Sequence, residues 1–511
     1  MSKSLKNISS TTDHNQHFCV DHIKTNLKGR SVRGGATTMV AEAGKFVLTI
    51  ASTVVLARLI APENFGLLSM VVAVTNLVKL FNDLGLSQAT VQRAEINHNQ
   101  VSTLFWLNVI LSAVLMLVTA AMAPAIALFY HEPRLTWITI SLACGFIISG
   151  FGVQHRALIN RQMRYTALAA IRITAMVVGI TTGIVSAWLG ANYWALVFME
   201  LATTLTNTVG VWVMCSWRPG PPVWRSNIRS MVAFGSNLTG TNILVYFIRN
   251  SDNILIGRFW GAQQLGLYDK AYQLLYLPIQ QVTGPISAVA LPALCRLQNN
   301  PERYRAYYYK AILLIVTFGM PLVSLLFVSA DKAILLFLGP KWIETVSIFQ
   351  ALSVASFIGT FSFATGWVYI SLGQANRQLR WVLLTSPITV LIFFISVHWG
   401  ALAVAKAFSF SFPILQLLSL IYCYRGTPLR VRDLGITLAR PAVASITAAV
   451  VLLSIHQVFP TNLNAVMSLL LDGVLYSAFY ITVWMILPNG RQTLLEMLQL
   501  TKEFRGKSKK D

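Results

Sequence analysis

Ten ionisable side chains lie inside or at the margins of stretches that are otherwise apolar, and these are the residues of the chain best suited to chemistry. They are Glu42, Lys45, Lys79, Asp83, Arg172, Glu200, Arg249, Asp252, Lys270 and Lys406. A charged side chain in hydrocarbon costs about 3 kcal/mol on insertion scales, so all of them facing lipid would cost about 30 kcal/mol, more than the stability of a folded domain. We therefore expect them to face the protein interior, where their surplus of basic groups suits the oxygens of a phosphate.

Distance along the helices, at about 1.5 Å per residue, divides these residues into two tiers. The inner tier, in the cytoplasmic half, consists of Glu42, Lys45, Lys79, Asp83 and Arg172. The outer tier consists of Glu200, Arg249, Asp252, Lys270 and Lys406. We expect the tiers to mark the path of an anionic substrate. The alternative is that the charges only pair with one another and hold helices together.

Pairing within one helix is the simplest form of that alternative. Glu42 with Lys45, and Lys79 with Asp83, are three or four residues apart and therefore share a helical face. Three basic residues have no such partner, or share one acid, and are the stronger candidates for binding phosphate: Arg172, Arg249 and Lys406.

The composition is that of a membrane protein. Of 511 residues, 55% are hydrophobic and 11% are charged, whereas a typical soluble domain is about 25% charged. Apolar runs of about 20 residues, long enough to cross roughly 30 Å of hydrocarbon, recur along the chain, and we count about fourteen. The predicted fold class is an all-α integral membrane protein with about fourteen transmembrane helices.

A duplicated motif organises these helices into two lobes. Residues 56–68, LARLIAPENFGLL, align without a gap with residues 256–268, IGRFWGAQQLGLY, so that Gly66 corresponds to Gly266. A second echo, NRQMR at 160–164, recurs as NRQLR at 376–380. A repeat of this length is typical of duplicated transporter lobes, and the proline-rich segment 217–224, WRPGPPVW, forbids a helix between them.

The resulting organisation has six segments. We predict a disordered cytoplasmic tail (1–33), an N-terminal lobe of six helices (34–216), a cytoplasmic proline-rich linker (217–229), a C-terminal lobe of six helices (230–424), two added helices (425–487) and an amphipathic, basic cytoplasmic tail (488–511). An even number of spans before the linker makes the repeat parallel, with the lobes around a central cavity. Prolines in the eighth span predict a bend or an interruption of that helix: Pro278, Pro285 and Pro292.

Charge fixes the expected orientation. Lys and Arg concentrate in alternate short loops, which places the N- and C-termini on the cytoplasmic side by the positive-inside rule. The formal net charge of +22 is spread over helix ends, so contact with anionic lipid explains it better than nucleic acid binding. The five cysteines give no disulfide framework, and no CxxC or His–Cys spacing suggests a metal site.

Enzymatic activity is disfavoured by the loops. The predicted external connections are short and contain no cluster of carboxylates or histidines that would form a catalytic site. No Walker A sequence is present, so ATP is not the expected driving force. We expect no cofactor, and transport coupled to an ion gradient or to the membrane potential.

Several segments together resemble a known family. They are residues 83–93, 234–274, 291–305 and 338–342, the last two reading LPALCRLQNNPERYR and LGPKW. They resemble the polysaccharide and lipopolysaccharide repeat-unit exporters, the Wzx-type flippases of the multidrug, oligosaccharidyl-lipid and polysaccharide flippase superfamily. The resemblance extends over about residues 34–425.

This resemblance implies a multi-pass protein of the bacterial inner membrane. Its substrate would be an undecaprenyl-diphosphate-linked oligosaccharide, moved outward by alternating access for exopolysaccharide, capsule or O-antigen assembly. The diphosphate would bind at the inner tier and pass to the outer tier. Membrane lipids, a polysaccharide polymerase and a chain-length regulator are the implied partners.

Two alternatives stay open from the residues. A multidrug or toxin antiporter of the same superfamily would share the two lobes, but its pocket would be mostly apolar and acidic for a cationic drug. A structural scaffold for a polysaccharide synthesis complex would not explain why charges lie inside the membrane.

Overall fold

The structure is a computed structural model and describes residues 27–79, 81, 86–93, 96–223, 229–458, 464–488 and 490–491. Across these residues the regular secondary structure is helical, with no β-strand. The chain divides into two compact units, Met1–Gly266 and Leu267–Asp511, and each is described by itself.

Unit 1 contains eight helices in its described part and the beginning of a ninth. They are α1 (Leu27–Leu59), α2 (Pro62–Lys79), α3 (Leu86–Gln92), α4 (His98–Tyr130), α5 (Leu135–Gly150), α6 (Val153–Arg161), α7 (Tyr165–Trp188), α8 (Tyr193–Met214) and α9 (Arg229–Leu297), which continues into unit 2. Helix α7 packs against α1 and α8, and α2 packs against α5 and α8. These contacts position the charged residues of unit 1.

Unit 2 adds eight helices and two short 3₁₀ turns. They are α10 (Pro301–Val328), α11 (Ala330–Phe337), α12 (Thr345–Gly359), α13 (Ala364–Ser371), α14 (Ala375–Ser396), α15 (Ala401–Tyr424), α16 (Val431–Val458) and α17 (Ala465–Ile486), with the turns at Pro340–Trp342 and Val397–Trp399. Helix α16 packs between α10 and α17. The two helices predicted as additions, α16 and α17, therefore share a core with α10.

Eleven helices of the described residues are long and apolar enough to cross a membrane, or twelve if a bent pair counts as one span. That pair is α5 and α6, which meet at 42°. The fourteen predicted spans are more than this. Part of the difference lies in α9, which covers both spans predicted on either side of Gly261.

Several predicted boundaries are wrong. Helix α1 begins at Leu27, inside the segment predicted to be a disordered tail, and residues 1–26 lie outside the described part of the chain. Arg156 and Arg161 lie in a helix, because α6 continues the fourth span after the bend. Only Gly261 has non-helical dihedrals inside α9, so its prolines do not interrupt it. Membrane helices tolerate proline, because neighbouring groups and local changes of the backbone satisfy the backbone groups that proline leaves unpaired.

The segment after α8 is not helical in its described part, as its prolines predict, and that part is attached to α4. The Trp217 side chain is buried and its Nε1 donates to Nδ1 of His98 at 3.1 Å. The amide of Gly220 donates to Oγ of Ser102 at 3.0 Å, and the amide of Val223 donates to a threonine hydroxyl of the same helix. The beginning of the linker is therefore a fixed part of unit 1.

The two copies of the duplicated motif, residues 56–68 and 256–268, are called the duplicated turns below, and they contact each other through their glycines. A Cβ atom added to Gly66 would lie 1.7 Å from the carbonyl oxygen of Ala262, and one added to Gly266 would lie 2.0 Å from the carbonyl oxygen of Pro62. These contacts are reciprocal, because the offset of 200 pairs Pro62 with Ala262 and Gly66 with Gly266. A pseudo-twofold relation between the two turns explains the reciprocity, and only glycine permits so close an approach.

Candidate functional site

The first group of predicted charges that the structure brings together is the Glu42 triad, formed by Glu42, Lys45 and Arg172. Arg172 on α7 donates from Nη1 to Oε1 of Glu42 on α1 at 2.7 Å. Lys45, one turn further along α1, places Nζ 3.4 Å from the other carboxylate oxygen of Glu42. Two cations thus share one carboxylate, and the triad carries a formal charge of +1.

A second pair joins α2 to α8. Nζ of Lys79, the last residue of α2, lies 3.1 Å from Oε1 of Glu200. This pair is formally neutral. The surplus positive charge among the described pairs of unit 1 helices α1, α2, α7 and α8 therefore lies in the Glu42 triad.

These contacts correct two expectations and leave a third untested. Arg172 was expected to lack a partner, and it pairs with Glu42. Lys79 was expected to pair with Asp83, which lies outside the described residues, and its described partner is Glu200. Lys79 and Glu200 were placed in different tiers, but their contact puts the two head groups at one depth. Counting residues along helices fails here because helices tilt and a lysine side chain is long.

Pairing of Glu42 with Lys45 is confirmed at the outer limit of hydrogen-bond distance. The spacing on one helical face predicts this contact. The interaction between α1 and α7 depends on tertiary packing, so the sequence does not contain it.

The other predicted residues have different described contacts or lie outside the described residues, as Asp83 does. The side chain of Arg249 lies outside the described residues. Asp252 accepts a hydrogen bond from the amide of Asn253 at 2.8 Å. Lys270 is buried and donates to Oε1 of Gln273 at 2.7 Å. Lys406 is exposed on α15, and the described part of the chain shows no ion pair for it.

Exposure decides what the paired charges can do. The exposed fraction is 60% for the Arg172 side chain, 40% for Glu42 and 47% for Lys45, although α1 and α7 are apolar enough to span a membrane. Charged groups at such positions are costly to expose to lipid. The head groups are partly exposed, and Arg172 offers planar donors of the kind that bind phosphate well.

A group of charges that the sequence prediction omitted lies in unit 2. The Asp472 cluster consists of Ser329, Lys332, His456 and Asp472. Asp472 is an acid within the last apolar run, so the criterion that selected the ten residues would also have found it. Its partners on other elements have no signal in the sequence.

The repeated NRQ motif is structural. Arg161 is buried and donates to the carbonyl oxygens of Thr90, Val91 and Arg93. Its counterpart Arg377 donates to backbone carbonyls at the end of α15. Both arginines satisfy carbonyl groups that would otherwise lack donors.

The connection between α4 and α5 contains a further ion network. Arg134 donates to both carboxylate oxygens of Glu132 at 2.8 Å and also pairs with Glu63 at the start of α2. The hydrogen bond from Arg134 lowers the pKa of Glu132. This network joins the connection between α4 and α5 to the start of α2.

Among the described residues, no group of three or more His, Cys, Asp or Glu side chains is placed to hold a metal ion. The arrangement in unit 1 can bind an anion by charge and hydrogen bonds.

Comparison with known proteins agrees with a membrane protein of polysaccharide biosynthesis. The family described as "Polysaccharide biosynthesis protein" matches residues 55–347. The lipopolysaccharide biosynthesis protein WzxC of Escherichia coli (strain K12) is 24% identical over 404 residues, covering 78% of this chain and 81% of its own. The succinoglycan biosynthesis transport protein ExoT of Rhizobium meliloti (strain 1021) is 20% identical over 470 residues, covering 91% and 94%.

Among solved structures, the lipid II flippase MurJ in an inward closed conformation shares the fold. Its TM-score is 0.71 at 12% identity, and the match covers 89% of this chain and 98% of that one. At this identity the likeness concerns the fold alone. It confirms a helical transporter architecture, as the resemblance in the sequence implied.

Proposed function

The chain belongs to the polysaccharide biosynthesis protein family, and on that premise we propose that it is a flippase for a polyprenyl-diphosphate-linked oligosaccharide. It would move one repeat unit across the bacterial inner membrane for assembly of exopolysaccharide, capsule or O-antigen. The observation that carries the proposal is the Glu42 triad, an exposed group of two cations and one carboxylate within helices that can span a membrane. ATP and metal ions have no part in the proposed step.

The triad supports a mechanism of charge exchange. In the empty protein, Glu42 holds Arg172 and Lys45 together and limits their repulsion. A diphosphate brings more negative charge and more acceptor oxygens than one carboxylate, so it would replace Glu42 as the partner of both cations. Glu42 would then repel the diphosphate and favour its release in the next conformation. The prenyl chain would stay in lipid, where its burial costs nothing.

The remaining predicted residues extend this path. Lys79 and Glu200 form a neutral pair, which a passing diphosphate would separate. Lys406 is exposed and would contact the diphosphate later on its path. Four further residues are proposed to line the cavity because of their positions in the sequence: Asp83, Arg249, Asp252 and Lys270. An ion gradient or the membrane potential would drive the cycle.

The proposed topology has fourteen spans with both termini in the cytoplasm. The N-terminal lobe (34–216) and the C-terminal lobe (230–424) would rock about the cavity, with residues 425–487 as added helices. Reporter fusions after Asn192 and after Arg225 would be on opposite sides of the membrane. Both fusions on one side would contradict this topology.

Deletion of the gene tests the substrate class. Loss of surface polysaccharide, with accumulation of the lipid-linked repeat unit in the inner leaflet, is the result expected for the flippase. Increased sensitivity to cationic drugs with normal polysaccharide would instead support the multidrug antiporter. The family match favours the first outcome, and a polymerase and a chain-length regulator are proposed partners in the same assembly.

Substitutions in the triad test the mechanism. Binding of undecaprenyl diphosphate to the protein in nanodiscs should weaken about 10- to 100-fold in Arg172→Ala, since hydrogen bonds to charged groups contribute about 1.5–3 kcal/mol. Arg172→Lys should partly restore binding. Glu42→Gln should instead bind undecaprenyl diphosphate more tightly while exporting less polymer, because it removes the competing carboxylate.

These opposite effects on affinity separate the proposal from a structural role. If the contact only held α1 to α7, Glu42→Gln and Arg172→Ala would lose the same interaction and behave alike. Arg305→Ala is the matched control, because Arg305 also pairs with one carboxylate, Asp433 at 2.6 Å, and is 39% exposed. That variant should bind undecaprenyl diphosphate as the wild type does.

A further inference from the structure

Away from the Glu42 triad, Asp472 is the centre of a buried polar cluster in unit 2. Its Oδ2 atom lies 2.7 Å from Nζ of Lys332 and accepts a hydrogen bond from Oγ of Ser329 at 2.9 Å. Its Oδ1 atom lies 2.8 Å from Nε2 of His456. The exposed fraction is 3% for the Asp472 side chain, 17% for Lys332 and 24% for His456. The carboxylate is buried, while the imidazole retains access to solvent.

The cluster is one end of the interface between α17 and the helices beside it. Asp472, Tyr476 and Tyr480 are four residues apart and lie on one face of α17. Tyr476 hydrogen-bonds to Ser324 of α10, and the Tyr480 hydroxyl donates to a carbonyl oxygen of the same helix. These two tyrosine contacts are uncharged at neutral pH. The Asp472 cluster is therefore the part of the described interface that can respond to a proton.

The geometry around His456 requires a choice between two partners. The same atom, Nε2, lies 2.8 Å from the carboxylate of Asp472 and 3.1 Å from the ammonium of Lys332. A carboxylate only accepts hydrogen bonds, and an ammonium only donates them. If Nε2 carries a proton, it donates a hydrogen bond to Asp472, and its N–H is repelled by the ammonium of Lys332. If Nε2 carries no proton, it accepts a hydrogen bond from Lys332, and its lone pair is repelled by the carboxylate of Asp472.

We propose that His456 is a proton-binding site in which Nε2 changes its hydrogen-bond partner from Lys332 to Asp472 when a proton from solvent binds. Imidazole is the side chain whose ordinary change of charge lies between about pH 5 and 8, so this is the range in which the site is tested. Among the described residues, the charged groups that face His456 are Asp472 from α17 and Lys332 from α11. The hydroxyl of Ser329 completes the cluster.

Proton binding changes how firmly α16 and α17 are held to α11. An imidazolium beside the Lys332 ammonium places two cations next to a single carboxylate, and Lys332 loses its bond to the imidazole. The tyrosine contacts of α17 persist, because they do not depend on this proton. The cluster end of the helix pair is therefore expected to loosen at acidic pH while the rest of the interface stays packed.

The ¹⁵N resonances of histidine in the full-length protein in nanodiscs test the proposal, because they distinguish a bare ring nitrogen from a protonated one. His456→Gln identifies the signals of His456 among the eight histidines. In the wild type, Nε2 should be bare at pH 8 and protonated at pH 5. A wild-type Nε2 that stays in one state across this range would overturn the proposal without any further variant.

Two lysine variants test the competition directly. In Lys332→Met, Nε2 should be protonated at both pH values, since no donor remains to favour the bare state. Lys341→Met removes an exposed lysine outside the cluster and should behave as the wild type. A Lys332→Met protein that titrates like the wild type would show that Lys332 does not compete for Nε2.

Hydrogen exchange measures the structural consequence. After correction for the intrinsic effect of pH, amides of residues 464–472 should exchange about fivefold faster at pH 5 than at pH 8, as expected for a coupling of this kind. The difference should be absent in His456→Gln. An equal pH effect in His456→Gln would exclude His456 as the group that binds the proton.

Discussion

Gly66→Ala is expected to separate the two duplicated turns. The new Cβ would lie 1.7 Å from the carbonyl oxygen of Ala262, whereas Cβ atoms essentially never approach another atom closer than 3.0 Å. The backbone must therefore move by about 1.3 Å. The carbonyl cannot rotate away as a side chain would, because it belongs to the opposing backbone.

Overpacking of this kind costs about 1–3 kcal/mol. Since about 1.4 kcal/mol corresponds to a tenfold change, the arrangement with the duplicated turns in contact should lose about 5- to 150-fold in population relative to one with the turns apart. Gly266→Ala should have the same effect, because its Cβ would meet the carbonyl oxygen of Pro62. The reciprocal geometry predicts this equivalence.

Cysteine labelling measures the separation. In a cysteine-free background, Ala262→Cys is expected to react slowly with a membrane-impermeant maleimide, because the Ala262 side chain is 7% exposed. Adding Gly66→Ala should raise the labelling rate about fivefold or more and reduce polymer export. Gly366→Ala is the control, since a Cβ at that glycine meets nothing within 4 Å. Unchanged labelling and export in both Gly66→Ala and Gly266→Ala would refute the reasoning.

Three further predictions concern stability. The Arg134 contact lowers the pKa of Glu132. The stability that this contact contributes is present above the pKa of Glu132 in the unfolded state and is lost as the pH falls through its pKa in the folded state. Thermal unfolding of Glu132→Gln should therefore depend less on pH below about pH 5 than that of the wild type. Trp217→Ala should destabilise unit 1 by about 3–5 kcal/mol and expose the linker to protease, whereas unchanged proteolysis would contradict the attachment to α4. Arg161→Ala should lower the thermal midpoint in detergent, because it leaves buried carbonyl groups unpaired, and Arg161→Lys should not restore it.

The sequence by itself determined the class of the molecule. Apolar runs of membrane length, the low charge content and the duplicated motif are local or statistical properties, and they predict a helical membrane transporter without reference to any contact. The pairing of Glu42 with Lys45 also follows from the sequence, because helical periodicity alone brings residues three apart to one face. The linker after α8 follows from its prolines.

The tertiary structure decided which charges act together. Arg172 reaches Glu42, and Lys79 reaches Glu200, across packed helices whose tilt and rotation no residue count can supply. The same is true of Lys332 and His456, which meet Asp472 from separate helices. Helical periodicity sets neighbours within one helix, whereas the partner across an interface depends on how side chains pack, and packing is a property of the whole chain.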